Sequence, residues 1–241
     1  MKIDCQLVPP LHLAEPGDRL FVVIDVLRAT STITTAFMNG CKSIVPVAEV
    51  EEAFRLANGP LEGALIGGER GGLTVKGFDL GNSPREYSSD RVRGQTIIMT
   101  TTNGSRAFRS LPENATGIVS SFLNLAAVAS RCLRSGRDVM IISSGQEGGF
   151  SLEDTVCAGG IVRSIRKQIR SRMEISDSAL AAEILYDHFK GDLLQMFRLS
   201  FWGRYLMEIG AEADLEYCAK MDVTTVVPIY REGRIGLAAE G

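Results

Sequence analysis

The chain has 241 residues, a formal net charge of -3, 45% apolar and 23% charged residues. These are ordinary values for a globular chain long enough to bury a substantial core, and the mild acidity argues against electrostatic binding of nucleic acid. Cys5, Cys41, Cys132, Cys157 and Cys218 are widely spaced, odd in number and free of any C-x-x-C pair, which excludes a disulfide framework and a thiolate zinc or redox site.

The amino-terminal stretch 1–13 lacks a basic region followed by an apolar one. No apolar run approaches the ~20 residues of a spanning helix. The expectation is a soluble protein of a reducing cytoplasm, with no membrane partner. In chain order, one local pattern repeats: an apolar β-rich run, a small polar loop, then helical periodicity. Leu20–Ile24 is the first run, Asp25–Ser31 its loop, and a helix is expected over Thr32–Asn39, ended by Gly40. Ser43–Val47 reads as a strand, Val50–Asn58 as a helix, and Leu65–Ile66 as a short strand entering the loop Gly67-Gly68-Glu69-Arg70. Thr96–Thr100 is a strand followed by Thr101-Thr102-Asn103-Gly104 and a helix from Ser105. Val139–Ile142 leads into Ser143-Ser144-Gly145-Gln146 and a helix over Leu152–Arg170. Ala179–Phe189 and Leu193–Phe197 are helical, and Val223–Ile229 reads as a late strand.

Continuous Val, Ile and Met runs suit strands buried on both faces. The pattern therefore predicts a three-layer α/β/α fold with a mainly parallel or mixed central sheet. A single domain over 1–241 is expected, with residues 171–213 as either a helical lobe or an outer helical layer. Ligands of such sheets bind beyond the carboxyl ends of the strands, so the strand-end loops supply the candidate site.

Asp25 ends the first apolar run. There a carboxylate can ligate a hard cation, attack phosphorus, or cap the next helix. Arg28 offers a planar fork for an anion, and Thr30 and Ser31 add hydroxyl donors. Four glycines around Glu69 and Arg70 permit close backbone approach, although a flexible turn is the alternative. The polar turn at 77–84 presents Asp79, Asn82 and Ser83, or forms an Asx-type turn. Thr102, Asn103 and Gly104 lie in a run of hydrogen-bonding residues suited to cradling phosphate. Ser144 belongs to a similar loop, and Ser151-x-x-Asp154 matches a capping box, so Asp154 is either a cap or a site carboxylate. Cys157 and Arg163 match C-x5-R, but Cys157 falls inside a helical stretch rather than at a strand end and reads as a packing residue. His12 and His188 lack metal-ligand spacing. The basic run 163–172 reads as a solvated helix face. No Walker motif occurs, and no G-x-G-x-x-G sits between a strand and a helix.

Taken together, Val23-Ile24-Asp25-Val26-Leu27-Arg28-Ala29-Thr30-Ser31-Thr32, Gly67-Gly68-Glu69-Arg70, Lys76 through Pro84, Thr101-Thr102-Asn103-Gly104 and Glu153-Asp154-Thr155-Val156-Cys157-Ala158-Gly159 resemble the 2-phosphosulfolactate phosphatase family, with a weaker echo at Gly210, Asp214 and 222–228. The resemblance spans roughly residues 20–230. It implies an α/β/α phosphoric monoester hydrolase of coenzyme M biosynthesis that uses Mg²⁺ to convert (2R)-O-phospho-3-sulfolactate into 3-sulfolactate and phosphate. On that reading Mg²⁺ sits on Asp25, Glu69 and Asp154, with waters completing its shell. Arg28 and Arg70 take anionic groups, while Thr30, Ser31 and Thr102 to Gly104 supply donors. Direct attack by Asp25 is the second route, since no D-x-D pair is present. Hydrolysis of another small 2-phospho acid, or non-catalytic binding of a small anion, are the alternatives. A homo-oligomer is compatible with the sequence.

Overall fold

The computed structural model describes residues 1–9, 17–169 and 173–237. His12, the expected helix end at Arg170 and the first residues of the 171–213 stretch lie outside the described residues. The strands are β1 (Lys2–Gln6), β2 (Arg19–Ile24), β3 (Ser43–Pro46), β4 (Leu65–Arg70), β5 (Leu73–Thr74), β6 (Thr96–Thr100), β7 (Gly117–Ser120), β8 (Asp138–Ser143), β9 (Glu174–Ile175), β10 (Pro228–Arg231) and β11 (Arg234–Leu237). The helices are α1 (Ala29–Met38), α2 (Val50–Ala57), α3 (Ser89–Val92), α4 (Gly104–Arg109), α5 (Leu125–Ser135), α6 (Leu152–Gln168), α7 (Asp177–Phe189), α8 (Leu193–Leu199), α9 (Phe201–Glu208) and α10 (Glu212–Cys218).

The strands form one mixed sheet in the order β5-β4-β6-β3-β11-β10-β7-β2-β8-β1-β9. Two parallel blocks, β4-β6-β3 and β7-β2-β8-β1-β9, flank the carboxy-terminal hairpin β10–β11. The hairpin pairs antiparallel with β3 on one side and β7 on the other. Chain sense therefore reverses between the blocks. Loops from the carboxyl ends of the two blocks still meet, with Gly104 after β6 lying against Asp25 and Ala29 after β2.

Strand β2 shows why both faces are covered. Leu20, Val22 and Ile24 pack into one core with α5, α6, α7 and α8, while Phe21 and Val23 pack into another with Ile33 and Phe37 of α1 and Phe108 of α4. This is the period-2 alternation of a strand buried on both sides. Ala179, Ala182, Met196, Phe197, Leu206 and Leu215 share the first core, so α7 to α10 form an outer layer on that face of the sheet.

Two expected elements differ. Glu69 and Arg70 are not loop residues: β4 runs through them, because Gly67 and Gly68 pair with Met99 and Thr100 of β6. A Cβ on Gly68, at φ 136°, would collide with the Thr100 carbonyl oxygen, so only glycine allows this approach. The late strand begins at Pro228 rather than Val223. The segment before it is tied to the α5 start instead, with Asp222 Oδ1 accepting from the Ala126 amide at 2.7 Å and the Val226 carbonyl accepting from Asn124 Nδ2 at 3.0 Å.

Candidate active site

The turn from β2 into α1 is closed by its own side chains. Asp25 Oδ1 accepts from the Ala29 amide at 3.2 Å, so this carboxylate does cap the helix, while its burial keeps it inside the site. Thr30 Oγ1 accepts from the Asp25 amide at 3.1 Å and donates to the Asp25 carbonyl at 2.8 Å; Ser31 Oγ donates to the Val26 carbonyl at 2.8 Å. Both hydroxyls, expected as ligand donors, are spent on shaping the loop. The Leu27–Arg28 peptide is cis.

Gly104, first residue of α4, brings the β6 loop against this turn. A Cβ there would lie 2.6 Å from Ala29 Cβ and 2.8 Å from Asp25 Oδ2. Glu69 bridges the next loops: Oε1 accepts from the Thr102 amide at 2.7 Å and Oε2 from the Gly72 amide at 2.7 Å. Asp154 does the same on the other side, with Oδ1 accepting from Val26 N at 2.9 Å and Oδ2 from Gly145 N at 3.3 Å. Ser151 Oγ caps α6 by accepting from the Asp154 amide at 3.3 Å. Asp154 is thus a fastener between loops, and unlike Glu69 it does not line the ion-sized cavity beside Asp25.

Arg28 is 5% exposed, and two of its nitrogens are committed. Nη1 donates to Asp214 Oδ2 at 2.8 Å and Nη2 to the Gly72 carbonyl at 2.5 Å. Nε is left without any partner, while both Nη atoms are already directed at protein acceptors. Arg70 is turned elsewhere, donating to the Glu69 and Ala48 carbonyls and to Thr100 Oγ1. Asp79 is exposed and accepts from the Ile66 amide, and Ser83 Oγ donates to Asp214 Oδ1 at 2.6 Å. The structure therefore gathers Asp25, Arg28, Glu69, Asn82, Asn103, Thr102 and Ser144 and keeps Arg70 and Asp79 apart from them.

Two cavities result. A small one, about 10 Å³, is lined by Asp25, Arg28, Glu69, Asn82, Asn103 and Trp202, with Leu27 behind. That is room for roughly one water or one ion. A larger one, about 420 Å³, holds Thr102, Asn103, Arg106, Ser143 and Ser144 on its walls. Asn103 lines both. Nine buried polar side-chain atoms among the described residues lack a partner, and five are here: Arg28 Nε, Asn82 Oδ1, Thr102 Oγ1, Ser143 Oγ and Ser144 Oγ. Leaving a buried polar atom unpaired costs roughly 1–3 kcal/mol, so such a concentration marks a place shaped for a ligand or water.

Negative charge dominates the small cavity. Burial, reinforced by the charges of Glu69 and Glu153, pushes the Asp25 carboxyl up to about 7, against the hydrogen bond from the Ala29 amide and a smaller pull from Arg28. Burial also raises Glu153, and raises Asp154 well above the carboxylate range with Asp25 and Glu153 adding to it. The donors fit a hard dication: Asp25 and Glu69 carboxylates, the unpartnered Asn82 Oδ1, and a space of one ion. Among the described residues no three His, Cys, Asp or Glu side chains converge as a ready-made metal cage.

Glu153, Asp214 and Arg106 also stand at or beside the site but were not among the expected site residues. Glu153 and Asp214 occur in the segments that carry the family resemblance, and their burial marks them out. Arg106 had no signal of its own. Cys157 lies inside α6, fully buried, and burial drives its thiol well above its ordinary value.

The described residues contain no helix long and apolar enough to cross a membrane. A family model described as 2-phosphosulpholactate phosphatase matches residues 7–233. A protein of Clostridium acetobutylicum named probable 2-phosphosulfolactate phosphatase is 42% identical over 236 residues, covering 98% of this chain and 100% of the relative. Similarly named proteins are 41% identical in Symbiobacterium thermophilum, covering 95% of this chain and 98% of the relative, and 42% identical in Carboxydothermus hydrogenoformans, covering 98% and 96%.

Proposed function

The chain belongs to the 2-phosphosulfolactate phosphatase family of phosphoric monoester hydrolases, and from that premise we propose that it hydrolyses (2R)-O-phospho-3-sulfolactate to 3-sulfolactate and phosphate with a divalent cation, Mg²⁺, in the small cavity. The observation that carries this reading is the contact of two cavities of opposite character at Asn103, one acidic and ion-sized, the other hydroxyl-lined and large enough for a small acid. Asp25, Glu69 and Asn82 would hold the cation. Bound there, it would polarise a phosphoryl oxygen and position the attacking water.

The chain's own groups do the rest. Asn103, which lines both cavities, and Arg28, which lines the small one, would donate to the phosphoryl oxygens. Asp154 ties the loops after β2 and β8 together and Glu69 those after β4 and β6, through backbone amides, so the donors need little reorganisation. Water adds to phosphorus, the bond from phosphorus to the ester oxygen breaks, and the leaving alkoxide takes up a proton. The five cysteines are free and buried, which suits a reducing cytoplasm. On this reading the protein would serve coenzyme M biosynthesis.

The test is phosphate release from phosphosulfolactate by metal-stripped enzyme, with and without added Mg²⁺. Turnover restored by Mg²⁺ supports the reading. Full turnover in excess EDTA removes the metal, and no turnover under any condition removes the substrate.

A further inference from the structure

The larger cavity carries polar groups that the transferred phosphoryl group does not account for. Ser143 ends β8 and Ser144 follows it; they are 1% and 3% exposed, and neither hydroxyl has a partner. Thr102 Oγ1, after β6, faces the same space and is likewise unpartnered. Arg106 of α4 lines it too, and its side chain makes no hydrogen bond or ion pair among the described residues, whereas Arg109 of the same helix pairs with Glu52 at 2.6 Å. One carboxylate, Glu147, stands on the exposed rim.

The two cavities therefore differ in electrostatic preference. The small one concentrates Asp25 and Glu69 and repels an anion unless a cation is present. The large one is lined by a guanidinium and three hydroxyl-bearing residues whose hydroxyls lack partners. We propose that the larger cavity is the subsite for the substrate's non-transferred sulfonate, with Arg106, Ser143 and Ser144 as specificity-determining residues. This rests on the proposed phosphosulfolactate reaction. A sulfonate presents three tetrahedrally arranged oxygens and can accept from several of the donors of Arg106, Thr102, Ser143 and Ser144 at once. A planar carboxylate, with two oxygens, satisfies fewer of them. The guanidinium supplies the charge-assisted bonds that give such contacts their strength.

The experiment compares 3-sulfolactate with lactate by calorimetry on the Mg²⁺-loaded protein, for wild type, Arg106→Met and Ser144→Ala. Methionine keeps an apolar stem at an exposed position, and Ser144→Ala deletes an unpartnered hydroxyl, so both variants are expected to melt at or near the wild-type temperature. Wild type is expected to bind 3-sulfolactate at least about tenfold tighter than lactate, and Arg106→Met to remove most of that preference. In turnover, the ratio of kcat/KM for phosphosulfolactate over 2-phospholactate is expected to fall about tenfold or more in the same variant. Equal or undetectable binding of the two acids by wild type, or an unchanged preference in Arg106→Met, overturns the subsite. A sulfolactate preference without phosphosulfolactate hydrolysis sinks the proposed function and leaves the subsite standing; hydrolysis without the preference does the reverse.

Discussion

Arg28 and Asp214, 186 residues apart in the chain, form an ion pair of 2.8 Å in which both side chains are 5% exposed. Asp214 also accepts from Ser83, so one carboxylate of α10 holds the guanidinium behind the acidic cavity and steadies the 77–84 turn. The pair fixes one Nη of Arg28 and leaves its Nε without a partner.

Breaking this pair should be costly for the fold. Asp214→Ala strands a buried guanidinium, which typically costs about 3–5 kcal/mol. Replacing both partners by apolar residues, as in Arg28→Met with Asp214→Leu, is expected to recover much of that stability while turnover stays low. Urea melts of the single and double variants check this. A double variant as unstable as Asp214→Ala would remove the ion-pair explanation.

Gly104→Ala tests the closeness of the β6 loop to Asp25. The new Cβ would sit 2.6 Å from Ala29 Cβ and 2.8 Å from Asp25 Oδ2. Overpacking of this kind costs about 1–3 kcal/mol, and here relief requires Asp25 or α4 to move. The expected outcome is a folded protein whose kcat falls further than its stability would suggest. Wild-type kinetics and melting together would show that this contact does not position the acid.

The raised Asp25 carboxyl predicts a sign for the pH dependence of stability without metal. Burial and the neighbouring acids lift its folded value to about 7, above an unfolded value near 4. The native state therefore holds the proton more tightly. The stability from this group is fully present below about pH 4 and is lost as pH rises through about 7. Glu153 and Asp154, raised by burial, act in the same sense. In EDTA, Tm should fall from pH 5 to pH 8, with one group contributing at most ~1.4 kcal/mol per pH unit. Asp25→Asn should flatten the slope, abolish turnover and shrink the Tm gain on adding Mg²⁺. A Tm that climbs over this window in wild type contradicts the assignment.

Cys157→Ala should keep turnover within a few-fold of wild type. The thiol is buried inside α6 and held well above its ordinary value, so it supplies no thiolate near neutrality. Removing it should cost a modest amount of stability through lost packing. Loss of several orders of magnitude in kcat from a folded variant would transfer the nucleophile to this cysteine.

Much of this molecule is legible within short stretches of sequence. Strand β6 falls where its apolar run predicts it, and Ser151 caps the helix that opens at Leu152, because strand periodicity and capping depend on neighbours a few residues away. The carboxyl-end rule likewise singles out Asp25, Asn103 and Ser144 from their positions alone. Tertiary structure decides how those groups are spent. Thr30 and Ser31 turn back onto their own loop, Arg70 reaches the Ala48 carbonyl, and Arg28 is claimed by an acid far along the chain. The carboxy-terminal hairpin between the two parallel blocks is equally invisible locally, since β10 pairs with β7 across more than a hundred residues. A side chain's residue type sets which bonds it can make. Only the long-range packing of loops, each drawing on backbone amides of another, determines which of those bonds remain for a substrate.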